Sequence, residues 1–549
     1  METDRDCYVV LELSEDDIFF DKKEKLLESM GFSPKERVCL KSSSDADCKS
    51  ATVKTLLQIA RVIQLDEVEL YFAEDNGCSP VEHYSHKNEL GALNSIISSI
   101  DTSISSCTNM EMNLLQDLRK TILGLITDFG NKNSVKTTVE RKHSCDQEEH
   151  LLEWGESNGV QTRLQIAYVQ GAGRGAIAKE DIKVGDIALE IPVSVIISDE
   201  LVHESGMHHV LEKIDGVSSE TMLLLWSMKE KHNCNSKFKI YFNTLPEQFN
   251  TGLSFGVDAI MNLDGTLLLE EVTQARQHLL AQYDELFPAL CNDHPDVFPP
   301  ELYTWEQFLW ACELWYSRSM KIMFSDGRLR TCLIPIADFL NHSLCPHIMQ
   351  YGKVDTATNS LQFCLSRPSG IGEECLLSYG NLSSSHLITF YGFLPQGDNP
   401  YDVIPLDIDA PEVDSTEDTS MSNRITHMVR GTWLSKNHGI FYYGLPSALL
   451  DHLRRSQSPL LLMKTLLQGN LENELELLED IRLIFDDMME SFADVDHVNR
   501  ENTSLDIKLA VYFTNLQRNI VSSVLTSCHS GIKTVKDALI KCMAEDIRG

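Results

Sequence analysis

The 549-residue chain reads as an α+β protein: a mixed β-fold broken by a helical insertion and flanked by mostly α-helical regions at both ends. Three observations predict this. Between residues 160 and 200, short β-rich stretches are punctuated by Gly171, Gly173, Gly175 and Gly185. From about 200 to 325 the apolar spacing turns helical, and short strand patterns then return at 328–337, 348–354, 360–366 and 374–379. A doubly wound sheet would alternate strand and helix regularly, and this order does not.

Taken along the chain, residues 1–130 read as a helical region without an assignable role. Its clearest helix is Met110–Phe129, where Leu114, Leu115, Leu118, Ile122, Leu125, Ile126 and Phe129 recur at helical spacing; Lys54–Phe72 is a weaker second. Residues 131–150 are polar and read as a linker. The mixed domain runs over 151–395, with strands at Gln165–Gln170 and Ile187–Ile191 and inserted helices at Ser219–Lys231 and Thr304–Met320. Residues 407–425 are acidic and polar and read as an exposed loop. Within the C-terminal region, 396–549, Leu471–Met489 and Leu505–Leu525 carry apolar stripes.

Composition excludes several function classes. Lys and Arg total 47 against 82 Asp and Glu, a net charge of −35, so the surface repels nucleic-acid phosphate and anionic lipid and attracts basic protein segments. Fifteen scattered cysteines include no C-x-x-C, so neither a zinc ribbon nor a dithiol redox pair is expected, and the thiols read as reduced. The acidic start METDRDCYVVLELSEDD has neither an apolar signal core nor transit-peptide character. No run of 18 apolar residues exists. The expectation is a protein of the cytoplasm, the nucleus or both, not secreted, with chloroplast residence argued against and no membrane partner.

Residue chemistry alone leaves the reaction open. Gly171-Ala172-Gly173-Arg174-Gly175 follows a strand but leads into a stretch that reads as strand and turn, so a tight turn fits better than a dinucleotide fingerprint, which must open a helix. His203, His208 and His209 cluster, and His342 lies near Cys345 and His347, without the ligand spacing of a zinc site; no metal is expected. G-x-S-x-G is absent, and most close carboxylate pairs read as solvated faces.

Three blocks together are more specific: GAGRGAIAKEDIKVGDIALEIP at 171–192, LIPIADFLNHS at 333–343 and GEECLLSYGNLSSSHLITFYGF at 372–393. In this order they resemble the SET domain of protein methyltransferases, in the branch of Rubisco large-subunit lysine methyltransferase and actin-histidine methyltransferase. Tyr241–Pro246, Trp310, Ser317-Arg318 and Asn399-Pro400-Tyr401-Asp402 resemble the same branch. The resemblance covers about 160–545 and includes a C-terminal region similar to the family's substrate-binding domain. It implies a SET-type knotted β-fold that holds S-adenosyl-L-methionine on one face and admits a protein side chain from the other.

Carried over by position, Ala172, Gly173 and Arg174 would touch the cofactor's methionine part, and Arg318 would pair with its carboxylate. Asn341 and His342 would position the cofactor, with Asp338 counted in the same set, and Tyr391 and Phe393 would line the adenine site and channel. Tyr379 would be catalytic, orienting the incoming amine and holding the developing charge. The implied activity is methylation of a lysine in a non-histone protein, with a histidine acceptor or a catalytically degenerate binding scaffold as alternatives. The expected partner is a lysine-bearing protein segment, of the basic kind that the acidic surface attracts, and not nucleic acid; oligomeric state is not legible. One departure stands out: where the family carries S-N-A-E, this chain has Ser383-Ser384-Ser385-His386, at the start of a helix expected to face the cofactor. Ser383 is expected to cap that helix.

Overall fold

The computed structural model describes residues 7–40, 46–73, 85–105, 109–135, 137–141, 145–214, 216–409, 424–431, 437–457, 464–495 and 503–546. Its middle is built from small antiparallel sheets. One orders Val354–Asp355, Ser360–Cys364, Ile187–Pro192 and Gln161–Thr162 side by side; another orders Val139–Arg141, Leu164–Val169 and Gly173–Ala178. Every pairing between these strands is antiparallel, as the absence of a regular strand–helix alternation predicts.

The site is organised by a threaded crossing. Residues 374–379 run between the two arms of a loop spanning 341–348. Leu377 forms parallel bridges with both His342 and Ile348. Its N–H donates to the Asn341 carbonyl at 2.8 Å, and its own carbonyl accepts from Ser343 at 3.0 Å. On the far side, Cys375 donates to the Ala176 carbonyl at 2.8 Å. Three segments remote in sequence are thereby bridged side by side, although only Gly173–Ala178 is a regular strand.

The insertion follows its apolar periodicity. Helices Ser219–Glu230, Leu267–Asp293 and Trp305–Arg318 start at Ser218, Thr266 and Thr304, whose side chains accept from the third residue on. Leu225, Phe287, Phe308 and Leu314 from these helices share one core with Ile191, Leu361 and Leu377 of the β-segments, so the insertion is not a separate domain.

The structure corrects several sequence readings. Residues 1–130 are not only helical: Cys7–Glu12 pairs antiparallel with Lys35–Leu40. Cys7, Val9 and Leu11 point into a core with Leu56, Ile96 and Ile122, on alternate positions as a half-buried strand requires. The stretch Lys54–Phe72 is two helices, Ala46–Ile63 and Glu67–Ala73. Asp66 begins the second by accepting from the Glu69 N–H at 2.9 Å. The polar stretch 131–150 is more than a linker, since Val139–Arg141 joins a sheet and the helix Asp146–Ser157 begins inside it. The acidic loop at 407–425 is framed by the hairpin Ile404–Asp409 and Arg424–Val429; residues 410–423 fall outside the described residues.

C-terminally, Gln468–Ser491 and Leu505–Asp546 form a long helical pair over a core that includes Leu478, Phe485, Val521 and Val524. Leu509, Ala510 and Phe513 also pack with Leu268, Val272 and Ile388. This second cluster ties the C-terminal helices to Ser384–Tyr391, the helix behind the site.

That helix ends at Gly392, φ +78°, where an added methyl would run into the Asn250 carbonyl. Gly392→Ala is expected to cost on the order of 3 kcal/mol, from left-handed strain plus overpacking. A fall in the urea midpoint checks this; an unchanged midpoint would mean that the 250 loop yields freely.

Candidate active site

The threaded crossing opens onto a cavity of about 1030 Å³, ample for a nucleotide-sized ligand. All ten residues singled out from sequence line it. Ala172, Gly173 and Arg174 lie on one wall; Arg318 and Asp338 lie on a second; Asn341 and His342, with Tyr379, Tyr391 and Phe393, complete it.

The first wall is a strand–turn–strand. Gly171 and Gly173 take φ of +79° and +73°, a conformation glycine adopts without penalty. A methyl on either would meet nothing within 4 Å, so the backbone is bare toward the opening. Arg174 turns away from the turn. Its guanidinium donates to the Thr244 carbonyl at 2.5 Å, lies 3.6 Å from Glu148 and rests 5.2 Å from the Phe339 ring centroid. Glu148 is buried and also accepts from the Tyr168 hydroxyl at 2.9 Å.

Helix Trp305–Arg318 delivers Arg318 at its last residue, before Ser319 takes the extended conformation that leads into the strand Met320–Met323. Arg318 Nε stands 3.6 Å from Asp338 Oδ2 and, among the described residues, makes no hydrogen bond. Asp338 Oδ2 accepts from the buried Tyr241 hydroxyl at 3.1 Å, whereas Oδ1 has no hydrogen-bond partner among the described residues. Burial pushes the Asp338 carboxyl up, against the pull of Arg318 and Arg174. Before it, Ile336 holds φ +74° in a buried setting, a strained β-branched residue that turns the chain into the Ala337–Phe339 segment.

Asn341 clamps the crossing. Its amide donates at 2.9 Å both to the Arg174 carbonyl and to Glu374 Oε1. His342 Nδ1 accepts from the Tyr379 N–H at 3.1 Å, which places the proton of the neutral ring on Nε2. Burial first, and then the nearby Lys87 charge, push His342 down to about 4. It is neutral at neutral pH.

Tyr379 is partly buried in the cavity wall and donates to the Leu340 carbonyl at 2.9 Å. It stacks on Tyr391 at 5.1 Å between centroids, while Phe393 meets it edge-on at 6.3 Å. Burial raises the Tyr379 hydroxyl well above the ordinary tyrosine range, so it remains protonated.

Several supporting residues carried no signal in the sequence. The Tyr351 hydroxyl donates to the Ser378 carbonyl at 2.6 Å, fixing the backbone just before Tyr379. Buried Glu313 accepts from Thr251 and Ser254, each at 2.6 Å, and holds the 249–254 wall. Lys87 and Thr137 reach the cavity from the N-terminal region. The Trp310 indole donates to the Pro246 carbonyl at 3.0 Å, giving a structural role to two residues noted above.

The departure at 383–386 lies elsewhere than expected. Ser383 caps its helix by accepting from His386 N–H at 3.2 Å. Ser384 donates through N–H and Oγ to Asp402 at 2.6 and 2.7 Å, and His386 lies 3.9 Å from Glu271. None of residues 383–386 lines the cavity. The helix turns Tyr391 toward it, not its N-terminus. Among the described residues no three His, Cys, Asp or Glu side chains are grouped as a metal would need.

Comparison with known proteins agrees with this geometry. The SET-domain family model matches residues 173–380, and the Rubisco LSMT substrate-binding model matches 14–141, the segment for which the sequence had offered no counterpart. An actin-histidine N-methyltransferase of Canis lupus familiaris is 24% identical over 286 residues, 51% of this chain and 46% of that protein. A chloroplastic fructose-bisphosphate aldolase lysine N-methyltransferase of Arabidopsis thaliana is 25% identical over 276 residues, 48% of this chain and 55% of that protein. The chain thus spans about half the length of these relatives. The solved SET domain of LSMT bound to lysine and AdoHcy superposes with a TM-score of 0.56 at 19% identity, covering 71% of this chain and 92% of that one. Rubisco LSMT bound to AdoMet gives 0.55, also at 19% identity, covering 72% and 94%. With the segment 374–379 running between the arms at 341–343 and 347–348 beside one large cavity, residues 173–380 form a SET domain with the fold of the Rubisco LSMT structures.

Proposed function

We propose that the chain is an S-adenosylmethionine-dependent protein N-methyltransferase acting on a lysine ε-amine of a non-histone protein. The observation that carries this reading is the convergence of Tyr379, Arg318 and the open glycine turn on one cavity, with polar atoms still to be satisfied there. The Arg318 Nε–H, which has no hydrogen-bond partner among the described residues, fits a ligand carboxylate. The bare backbone at Gly171 and Gly173 fits a closely approaching chain, and the ring cluster of Tyr379, Tyr391 and Phe393 fits a flat base.

When bound, S-adenosylmethionine would supply an electrophilic methyl group on a sulfonium. The residues of this chain would align the nucleophile and exclude water. Tyr379 keeps its proton, so it acts as a hydrogen-bond partner for the incoming nitrogen rather than as its base. Deprotonation of the amine falls to solvent. Helices outside the SET segment would recognise the protein substrate: residues 14–141 match the substrate-binding model, and the C-terminal region reaches the cavity at Leu505. The acidic surface favours a basic segment.

A histidine acceptor is the second reading, favoured by the actin-histidine relatives. The degenerate-scaffold reading loses its motive, because Ser384 and His386 are engaged away from the cavity. No helix among the described residues is long and apolar enough to cross a membrane, and the proposed setting is the cytoplasm or nucleus.

Labelled S-adenosylmethionine incubated with the chain and a whole-cell protein extract is expected to label a discrete protein, and mass spectrometry of the modified peptide reads lysine or histidine. S-adenosylhomocysteine at 100-fold excess over Kd should stabilise the fold by about 2.7 kcal/mol. No stabilisation at saturating concentration would remove the methyltransferase reading.

A further inference from the structure

We propose that Lys87, which lies outside the SET segment, is a cofactor-binding residue whose ammonium donates to the nucleoside portion of S-adenosylmethionine, so that the cavity is completed by the N-terminal region. This rests on the methyltransferase reading and extends it to a residue outside the SET segment and outside the three sequence blocks that resemble it, within the part matched by the substrate-binding model.

Lys87 sits in the first turn of the helix His86–Ile104. That turn is fixed: the Ser85 hydroxyl accepts from the Asn88 N–H at 2.9 Å and donates to Glu69 at 2.5 Å. The adjoining helix Glu67–Ala73 is docked just beyond the SET segment. Asp66 Oδ2 accepts from the Asn381 amide and from the Tyr401 hydroxyl, each at 2.7 Å. Asn381, two residues beyond Tyr379, returns its carbonyl oxygen to Lys87 Nζ at 2.5 Å. The Lys87 side chain is therefore held at the rim of the same cavity that Tyr379 lines, with Val135 and Thr137 also reaching it from the region before the SET segment.

An ammonium carries three donors. Among the described residues, Asn381 takes one, leaving two for a ligand. The direction in which they can act follows from the neighbours. The Lys87 charge is felt at His342, which packs against Tyr379 and Phe393 with centroids 5.2 and 6.2 Å apart. Arg318, the cation suited to the carboxylate, belongs to another wall, with Asp338 and Phe249. A ligand whose carboxylate met Arg318 and whose flat base met the ring cluster would bring its ring nitrogens and ribose oxygens to the side of the cavity that Lys87 lines. Those groups are acceptors, and Lys87 can only donate.

The test is equilibrium titration of S-adenosylhomocysteine and of 5′-methylthioadenosine, which lacks the amino-acid end, against wild type, Lys87→Met and Lys87→Arg. Loss of a charge-assisted hydrogen bond predicts affinities about 10-fold weaker in Lys87→Met for both ligands, with Lys87→Arg recovering most of the loss. The proposal is overturned if Lys87→Met binds both ligands within twofold of wild type, or if only S-adenosylhomocysteine weakens. Should Lys87→Met unfold more easily without ligand, Lys87→Arg decides, since equal weakening there means a structural role. Wild type that binds neither ligand would instead remove the methyltransferase reading itself.

Discussion

Tyr379→Phe is expected to lower the rate of methyl transfer about 10²–10³-fold, the usual consequence of deleting one preorganised hydrogen-bond group at a reacting centre. The change removes a single oxygen. The ring remains stacked on Tyr391 and edge-on to Phe393, so the wall keeps its shape. The Leu340 carbonyl loses the 2.9 Å hydrogen bond from the hydroxyl, at a cost of about 1 kcal/mol in stability. Affinity for S-adenosylhomocysteine should stay within a few-fold of wild type, because the altered atom serves the acceptor nitrogen. Rate and affinity measured side by side separate the roles: a rate within tenfold of wild type would remove Tyr379 from catalysis, and parallel losses in both would make it a cofactor-binding residue.

The largest expected loss of stability lies far from the cavity. Arg454 is 1% exposed. It donates to Glu474 at 2.6 and 2.9 Å, to Asp451 at 2.6 Å and to the Phe441 carbonyl at 2.6 Å. Glu474 also accepts from the Tyr443 hydroxyl at 2.7 Å. This network pins a turn in which Phe441 and Tyr443 both adopt positive φ, strain that the network must hold in place. Arg454→Met would leave Glu474 charged, buried and facing an apolar side chain, at a cost of about 3–5 kcal/mol. Adding Glu474→Met should recover part of that loss, since paired apolar side chains often replace a buried ion pair without penalty. Urea unfolding of the two single variants and the double variant measures the coupling. Additive losses would show that the pair is not a unit.

What was legible in the sequence follows from where each signal is stored. The ten cavity residues came from short contiguous blocks, and the inserted helices from apolar spacing read within a single element. Signals spread over several segments were invisible. Glu148 sits in a polar stretch and reads as one more surface carboxylate. Only the fold shows it buried against Tyr168 and Arg174. Glu374, Glu313 and Lys87 likewise take their meaning from partners many residues away. The strand pair Cys7–Glu12 and Lys35–Leu40 was hidden for a related reason, since its second member, KERVCL, opens with three charged residues and has no fully buried position. The helix at 383–391 was found, but its orientation depends on Asp402 and Asn399 and not on its own sequence.

The threading at Leu377 also has a temporal side. The segment 374–379 must settle between arms at 341–343 and 347–348 while bonding a strand that left the ribosome about 200 residues earlier. The ring of contacts then closes between Asp66 and Tyr401, 335 residues apart. Contacts this remote make folding slow, because the entropy of closing such loops is lost before the packing repays it. A nascent chain can bury its N-terminal core early, yet it cannot possess a cavity until nearly 400 residues are available. The proposed ligand binding would therefore report that synthesis and folding have passed the crossing, and a chain truncated before Leu377 should be left with its β-segments unthreaded and open to aggregation.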